Sequence, residues 1–199
     1  MKRVQVRIEG SLPLVMHSPT LLDPLHPLTK QYKAISQKRK KTDQDYLDLY
    51  ELEFRAGLYF STEDGVYVPA DNLLACMRDG AKRSKNGANV ERCVFFTRPR
   101  YPLLYSGPRT VESLYSDENF RLIKVIRTLG GGSCMRCRPM FKEWAVEFQF
   151  VLDESVLALD VCKGIWRDAG LYQGFMDERP NFGRFELKSF TAEEMSNGQ

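Results

Sequence analysis

The stretch Trp144-Ala145-Val146-Glu147-Phe148-Gln149-Phe150-Val151-Leu152 decides the fold. Trp144, Val146, Phe148, Phe150 and Leu152 alternate with Ala145, Glu147, Gln149 and Val151, so one side of the chain is uniformly large and apolar. A period of two marks a half-buried β-strand, because successive side chains of extended backbone leave on opposite faces. Beyond it, Ser155 can cap a helix in which Leu157, Val161 and Ile165 recur every four residues, and Gly170 stops that helix. Residues 182–190 then read as a strand. On the N-terminal side, residues 134–140 read as extended, Gly130-Gly131-Gly132 forces a break, and residues 121–128 form another strand candidate.

Further out, Val68-Pro69-Ala70-Asp71-Asn72-Leu73-Leu74 looks like a helix start, with Asp71 as capping residue and Leu73, Leu74, Met77 and Ala81 as the buried stripe. Arg78 and Lys82, four apart, lie beside that stripe and Lys85 follows one turn later. At the beginning of the chain Val4, Val6 and Ile8 alternate with Arg3, Gln5, Arg7 and Glu9, a further half-buried strand. In order, the elements are strand 3–9, helix 71–84, strand 121–128, strand 143–152, helix 155–169 and strand 182–190. This βαββαβ order predicts an α+β, ferredoxin-like fold, an antiparallel four-stranded sheet with two helices on one face. One domain over residues 1–199 is expected, with a helical insertion at 10–60 and a loop and strand insertion at 87–120. Insertions of that length in compact domains are often functional.

Composition narrows the classes. With 199 residues, 43% of them hydrophobic and 12% aromatic, the chain can bury a core of its own, which excludes disordered and collagen-like classes. No apolar run reaches the roughly 18 residues of a membrane span, and the N-terminal residues lack the apolar block of a signal peptide. Five cysteines suit reduced thiols, so a cytoplasmic location is expected and no membrane partner. The formal charge of +3 hides opposed blocks. Lys30, Lys33, Lys38, Arg39, Lys40 and Lys41 precede a helix, capped by Thr42, that carries Asp43, Asp45, Asp48, Glu51 and Glu53. On that helix Tyr46, Leu47, Tyr50 and Phe54 share one sector and can pack. The basic run is either a solvated helix face or a track that neutralises phosphates. The acidic helix can mask those cations or dock on another copy's basic surface.

Gly170-Leu171-Tyr172-Gln173-Gly174-Phe175-Met176-Asp177-Glu178-Arg179-Pro180-Asn181-Phe182-Gly183-Arg184-Phe185 lies before the last strand. Glycines let backbone approach a ligand, free N–H groups in such loops form an anion-binding concavity, and Arg179 and Arg184 can fork onto phosphate. Gly170 as a plain helix cap and Gly183 as a strand bulge are the alternative. The loop, ending in Gly-Arg-Phe, resembles the signature of the RAMP-type CRISPR-associated RNA-binding proteins, most closely of their backbone subunits or of a phage relative. The stretch from Val68 to Arg78 is similar to the Ile-Pro-Gly-Ser-Ser-Leu-Lys-Gly-x-x-Arg motif of those subunits at Pro69, Asn72, Leu73 and Arg78, with Ala70 and Ala75 in place of glycines. The resemblance implies single-stranded nucleic-acid binding, RNA or DNA, and assembly of copies into an oligomer or filament along the strand.

The expected nucleic-acid contacts are Lys33, Lys38, Arg39, Lys40, Lys41, Arg78, Lys82, Lys85, Gly174, Arg179, Gly183 and Arg184. Tyr32, Tyr101, Tyr105 and Phe175 could stack on bases. Catalytic signals are few. His17 and His26 are the only histidines. Because some RAMP proteins cleave guide precursors with an early histidine, His17 is the candidate for a metal-independent endoribonuclease, the alternative to a non-catalytic binder. A structural or inhibitory mimic of a RAMP subunit is a third reading. Cys134-Met-Arg-Cys137 has the spacing of half a zinc site without an evident second half, and no cofactor is expected.

Overall fold

A computed structural model describes residues 1–127 and 131–195. Its strands in chain order are β1 (Lys2–Gly10), β2 (Leu14–Val15), β3 (Phe60–Ser61), β4 (Gly65–Pro69), β5 (Val94–Phe96), β6 (Arg100–Leu104), β7 (Arg121–Arg127), β8 (Ser133–Phe141), β9 (Ala145–Leu152) and β10 (Phe185–Glu194). The α-helices are α1 (Pro27–Ser36), α2 (Asp43–Gly57), α3 (Ala70–Ala81), α4 (Gly87–Cys93), α5 (Val111–Ser116) and α6 (Leu159–Asp168). The fold is mixed α and β with antiparallel sheets. Two compact units share it, one formed by Met1–Leu14, Ser61–Ser106 and Lys142–Gln199, the other by Val15–Phe60 and Gly107–Phe141. The two-residue strands β2 and β3 fall where the chain passes between them.

The first unit is built on a sheet ordered β10-β1-β9-β6-β4. β1 pairs antiparallel with β10 on one side and with β9 on the other. The alternation read from the sequence sets its faces: Val4, Val6 and Ile8 are buried, as are Val146, Phe148, Phe150 and Leu152 of β9. Trp166 of α6 covers this layer, its ring 4.9 Å from that of Phe148. β5 and β6 both pair with β9, β5 at Leu152–Phe150 and β6 at Val146–Ala145. Between these two ladders the Tyr101 hydroxyl donates to the Gln149 carbonyl at 2.6 Å.

In the second unit β7 pairs antiparallel with β8 along the whole of β7, α2 packs on β8, and α1 and α5 pack on α2. Thr42 caps α2 as expected, in a capping box with Asp45. The core there gathers Phe54, Leu114 and Phe141, with Phe54 against Tyr115 at 5.4 Å and Phe120 against Phe141 at 5.7 Å. The sector expected to pack on α2 is only partly buried: Phe54 goes inside, whereas Tyr46 and Leu47 remain exposed.

Three local expectations are corrected. The strand at 121–127 is not a neighbour of β9; it closes on β8, because two extended segments joined by a short glycine-bearing connection form a hairpin locally. β5 and β6 take the expected place beside β9. Thr128 and Gly130 of those expected features lie outside the described residues. Asp71 sits in the first turn of α3 rather than capping it, since Pro69 occupies the N-cap in extended backbone. Ser155 does not cap α6, which starts at Leu159; its N–H and hydroxyl both donate to Asp153 in a turn.

Candidate nucleic-acid interface

The residues at 68–78 and the glycine-rich loop at 170–185, far apart in sequence, meet in the first unit. Along α3, Asn72, Cys76 and Asp79 are spaced four and three apart and so share one face. Each touches the loop: Asn72 Nδ2 donates to Met176 Sδ at 3.1 Å, Cys76 Sγ to the Gly174 carbonyl at 3.4 Å, and Arg179 Nη1 to Asp79 Oδ2 at 3.1 Å. Gly174 and Gly183 hold φ of 77° and 71°, a region that disfavours any side chain. A Cβ on Gly174 would stand 2.6 Å from the Phe182 carbonyl oxygen, and one on Gly183 would collide with that of Phe175.

The loop's amides are directed inward. Phe175 N–H donates to the Gly183 carbonyl and Gly183 N–H to the Pro13 carbonyl, both at 2.8 Å, while the N–H groups of Gly174 and Phe182 bond to Ala169 and Glu178. The two glycines therefore serve the loop's own closure, and these four N–H groups are not open to an anion. Phe175 is fully buried, with its ring 6.0 Å from that of Trp144, and Tyr101 is buried with its hydroxyl bonded. Tyr32 donates to Glu53. None of these three is a free stacking platform; Tyr105 is half-buried.

Of the expected cations of this unit Arg78, Lys82, Lys85 and Arg179 are exposed and Arg184 is half-buried; Arg78, Lys82, Arg179 and Arg184 each bond within the chain. Lys82 Nζ lies 2.8 Å from Asp79 Oδ1, so one carboxylate holds Lys82 and Arg179 together. Burial pushes the Asp79 carboxyl upward, but hydrogen bonds and charge from Lys82 and Arg179 outweigh it and leave Asp79 below the usual carboxylate range. Arg78 pairs with Glu91 of α4 at 3.0 Å, and Arg184 Nε donates to the Pro180 carbonyl at 3.0 Å. Lys85 is exposed and ends the turn after α3 in left-handed backbone. Arg83 belongs with this group and was not singled out in the sequence. Its guanidinium lies 3.9 Å from the centre of the Tyr172 ring, a cation–π contact joining the end of α3 to the loop. The signal was the run Lys82-Arg83-Ser84-Lys85.

The remaining cations lie in the second unit. Lys33 is in the last turn of α1, and Arg39 and Lys40 are exposed. Lys38 Nζ lies 2.6 Å from Asp45 Oδ1 and Lys41 Nζ donates to the Lys38 carbonyl at 2.9 Å. The Lys38 hydrogen bond, with those from Thr42, holds the Asp45 carboxyl below its ordinary range. The acidic helix thus neutralises one cation of the basic run. His26 caps α1 by accepting the Leu28 N–H, and His17 is exposed after β2. Among the described residues no three His, Cys, Asp or Glu come together to hold a metal, and no helix is long and apolar enough to cross a membrane.

No known protein family's sequence profile matches the chain, and no curated protein matches it. The fold is shared with a chain of the Type III-B Cmr-beta assembly solved by cryo-EM bound to cognate target RNA, with a TM-score of 0.50 at 13% sequence identity. The match covers 96% of this chain and 60% of that one, so this chain spans less than two thirds of its neighbour's length.

Proposed function

We propose that this chain is a RAMP-type RNA-binding protein on a ferredoxin-like core, holding single-stranded RNA without cleaving it as a subunit of a CRISPR-type assembly. The observation that carries this reading is the contact between the two family-like stretches, Asn72 on Met176 and Cys76 on Gly174, continued one residue past the first stretch by Asp79 on Arg179. Two segments that resemble the same family's motifs have a reason to coexist if they build one surface. The sheet order supports the ferredoxin-like reading: β10, β1, β9 and β6 lie side by side, α3 precedes β6 in the chain, and α6 connects β9 to β10. RNA is preferred over single-stranded DNA as the partner because the structural neighbour is bound to RNA.

In this reading Arg78, Lys82, Lys85, Arg179 and Arg184 face phosphates around a loop shaped by Gly174 and Gly183, and Lys33, Lys38, Arg39, Lys40 and Lys41 of the second unit supply further phosphate contacts. Lys82 and Arg179 reach a phosphate by exchanging Asp79 for it, a substitution of one charge-assisted partner for another. Several copies along one RNA would form the oligomer, and a phage-encoded setting fits as well as a cellular one.

The test is binding of labelled single-stranded RNA by the intact protein and by the Arg179→Glu/Arg184→Glu variant. The variant is expected to bind at least about tenfold more weakly at low salt, and its salt dependence to flatten by about 0.7 per lost phosphate contact. Equal affinities for the two proteins would overturn the site. The same RNA, incubated in chelator, is expected to stay intact; cleavage lost in His17→Ala would replace the binder with an endoribonuclease.

A further inference from the structure

The second unit holds a cavity of about 360 Å³ between α1, α2 and β8, which shares only Lys41 with the cations of the interface described above. This volume is within the range of small-ligand sites, roughly 300–1,000 Å³. Tyr46 and Tyr50 are four apart on α2 and both line it, so two aromatic rings from one helix face border the same space. Tyr46 remains 48% exposed, an aromatic ring uncovered beside a cavity rather than packed in the core.

Beside these rings the wall is charged. Glu53 is only 3% exposed, and its carboxylate is fully partnered. Oε1 accepts from the Tyr32 hydroxyl at 2.9 Å and from Arg136 Nη1, and Oε2 accepts from the Cys137 N–H at 2.9 Å. Burying such a pair costs several kcal/mol of desolvation per ion, so it is a poor source of stability; what it does provide is a fixed guanidinium. A guanidinium carries five N–H donors, and this hold on Glu53 uses Nη1. Lys41, also on the wall, spends one of its three donors on the Lys38 carbonyl. The ionisable lining therefore comprises two cations and one carboxylate already satisfied within the protein.

Flat aromatic surface next to two cations suits a ligand that is itself a flat ring joined to an anion. We infer that this cavity binds a nucleoside monophosphate unit, its base against Tyr46 and Tyr50 and its phosphate on Lys41 and Arg136. The unit is supplied either as a free nucleotide or as one residue of a bound RNA. The inference goes beyond the RNA-binding reading and survives that reading's failure, because a mononucleotide needs no RNA track.

Calorimetric titration of the full chain with AMP, GMP, CMP and UMP, and with the corresponding nucleosides, tests it. At least one monophosphate is expected to bind, and more tightly than its nucleoside. Tyr46→Ala should weaken that binding about 5- to 150-fold, the worth of one stacked base, while Tyr46→Phe keeps it. Lys41→Gln should remove the preference for the monophosphate. Lys41 stands just before the cap of α2 and Tyr46 near the start of that helix, and unchanged thermal melting of the variants confirms that they fold. The bound nucleotide should also slow alkylation of Cys134, which lines the same cavity. Weakening of RNA binding by Tyr46→Ala identifies RNA as the source; loss of mononucleotide binding alone identifies the free nucleotide. Absence of binding for all four up to about 10 mM, or equal affinity for nucleoside and nucleotide, would overturn the inference.

Discussion

Arg179 and Asp79, one hundred residues apart, are joined side chain to side chain at 3.1 Å, and the other oxygen of the same carboxylate holds Lys82 at 2.8 Å. One acid thus restrains a cation from each of the two stretches proposed to face RNA. Asp79→Asn is expected to release both. RNA affinity should rise, because Lys82 and Arg179 no longer have to give up a carboxylate, while its salt slope stays near that of the wild type, since the same cations meet phosphate in both proteins. The loss of stability should not exceed about 1 kcal/mol, since Lys82 and Arg179 are 69% and 37% exposed and solvent screens such pairs. Filter binding across a salt series, with urea melts alongside, reads both.

The same carboxylate makes stability depend on pH in a defined direction. Asp79 titrates below its ordinary value near 3.8 when folded. A group depressed in this way contributes above its unfolded pKa, and its contribution disappears as pH falls through the folded value. Wild type is therefore expected to lose stability below about pH 3.8 more steeply than Asp79→Asn, in denaturant melts from pH 6 to pH 3.

Gly183→Ala should be among the most damaging single-atom changes in the chain. Its backbone lies at φ 71°, and the added Cβ meets the carbonyl oxygen of Phe175, whose own N–H bonds back to Gly183. Backbone cannot rotate away as a side chain can, so a loss of about 2 kcal/mol or more is expected, measured by chemical denaturation.

Tyr101→Phe removes one hydroxyl from a buried site and leaves the Gln149 carbonyl without that donor. The expected cost is about 1 kcal/mol. Amide exchange in β9 should quicken where β5 and β6 leave off, with the rest of the sheet unchanged.

Thiol chemistry provides an independent check on packing. Burial pushes Cys76, Cys137 and Cys162 up to about 12 and raises Cys93 as well, while Cys134 is half-buried. A thiol reagent at pH 8 is expected to modify Cys134 quickly and the other four only after denaturation. Cys134→Ser should abolish the fast phase.

The strands with strict alternation were readable because a period of two reports burial directly. Val4, Val6, Ile8 and the four residues Val146 to Leu152 on the same face lie where that period places them. Thr42 was readable because a capping box is local chemistry. Partner choice was not. The same apolar residues at 121–127 satisfy a hairpin with β8 as well as a place beside β9, and nothing within the segment distinguishes the two. Ser155 failed as a cap because α6 starts only at Leu159 and the Ser155 hydroxyl is engaged with Asp153, two residues away. At the candidate site, the cations and glycines stood out in the sequence, whereas their partners did not. Asp79 drew no attention as a lone acid, and only folding sets it between Lys82 and Arg179. Phe175 and Tyr101 looked like stacking aromatics because residue type does not say which way a ring faces.

The position of β1, between β9 and β10, also bears on the order in which the chain can acquire structure. During synthesis Val4, Val6 and Ile8 emerge long before β9 and β10, the two strands that cover them. At roughly 5–20 residues per second the wait is on the order of ten seconds, during which an apolar strand with two unpaired edges is exposed to other chains. Ribosome-bound nascent chains truncated before residue 145 should hold this strand unpaired and open to protease, and those extended past residue 194 should not.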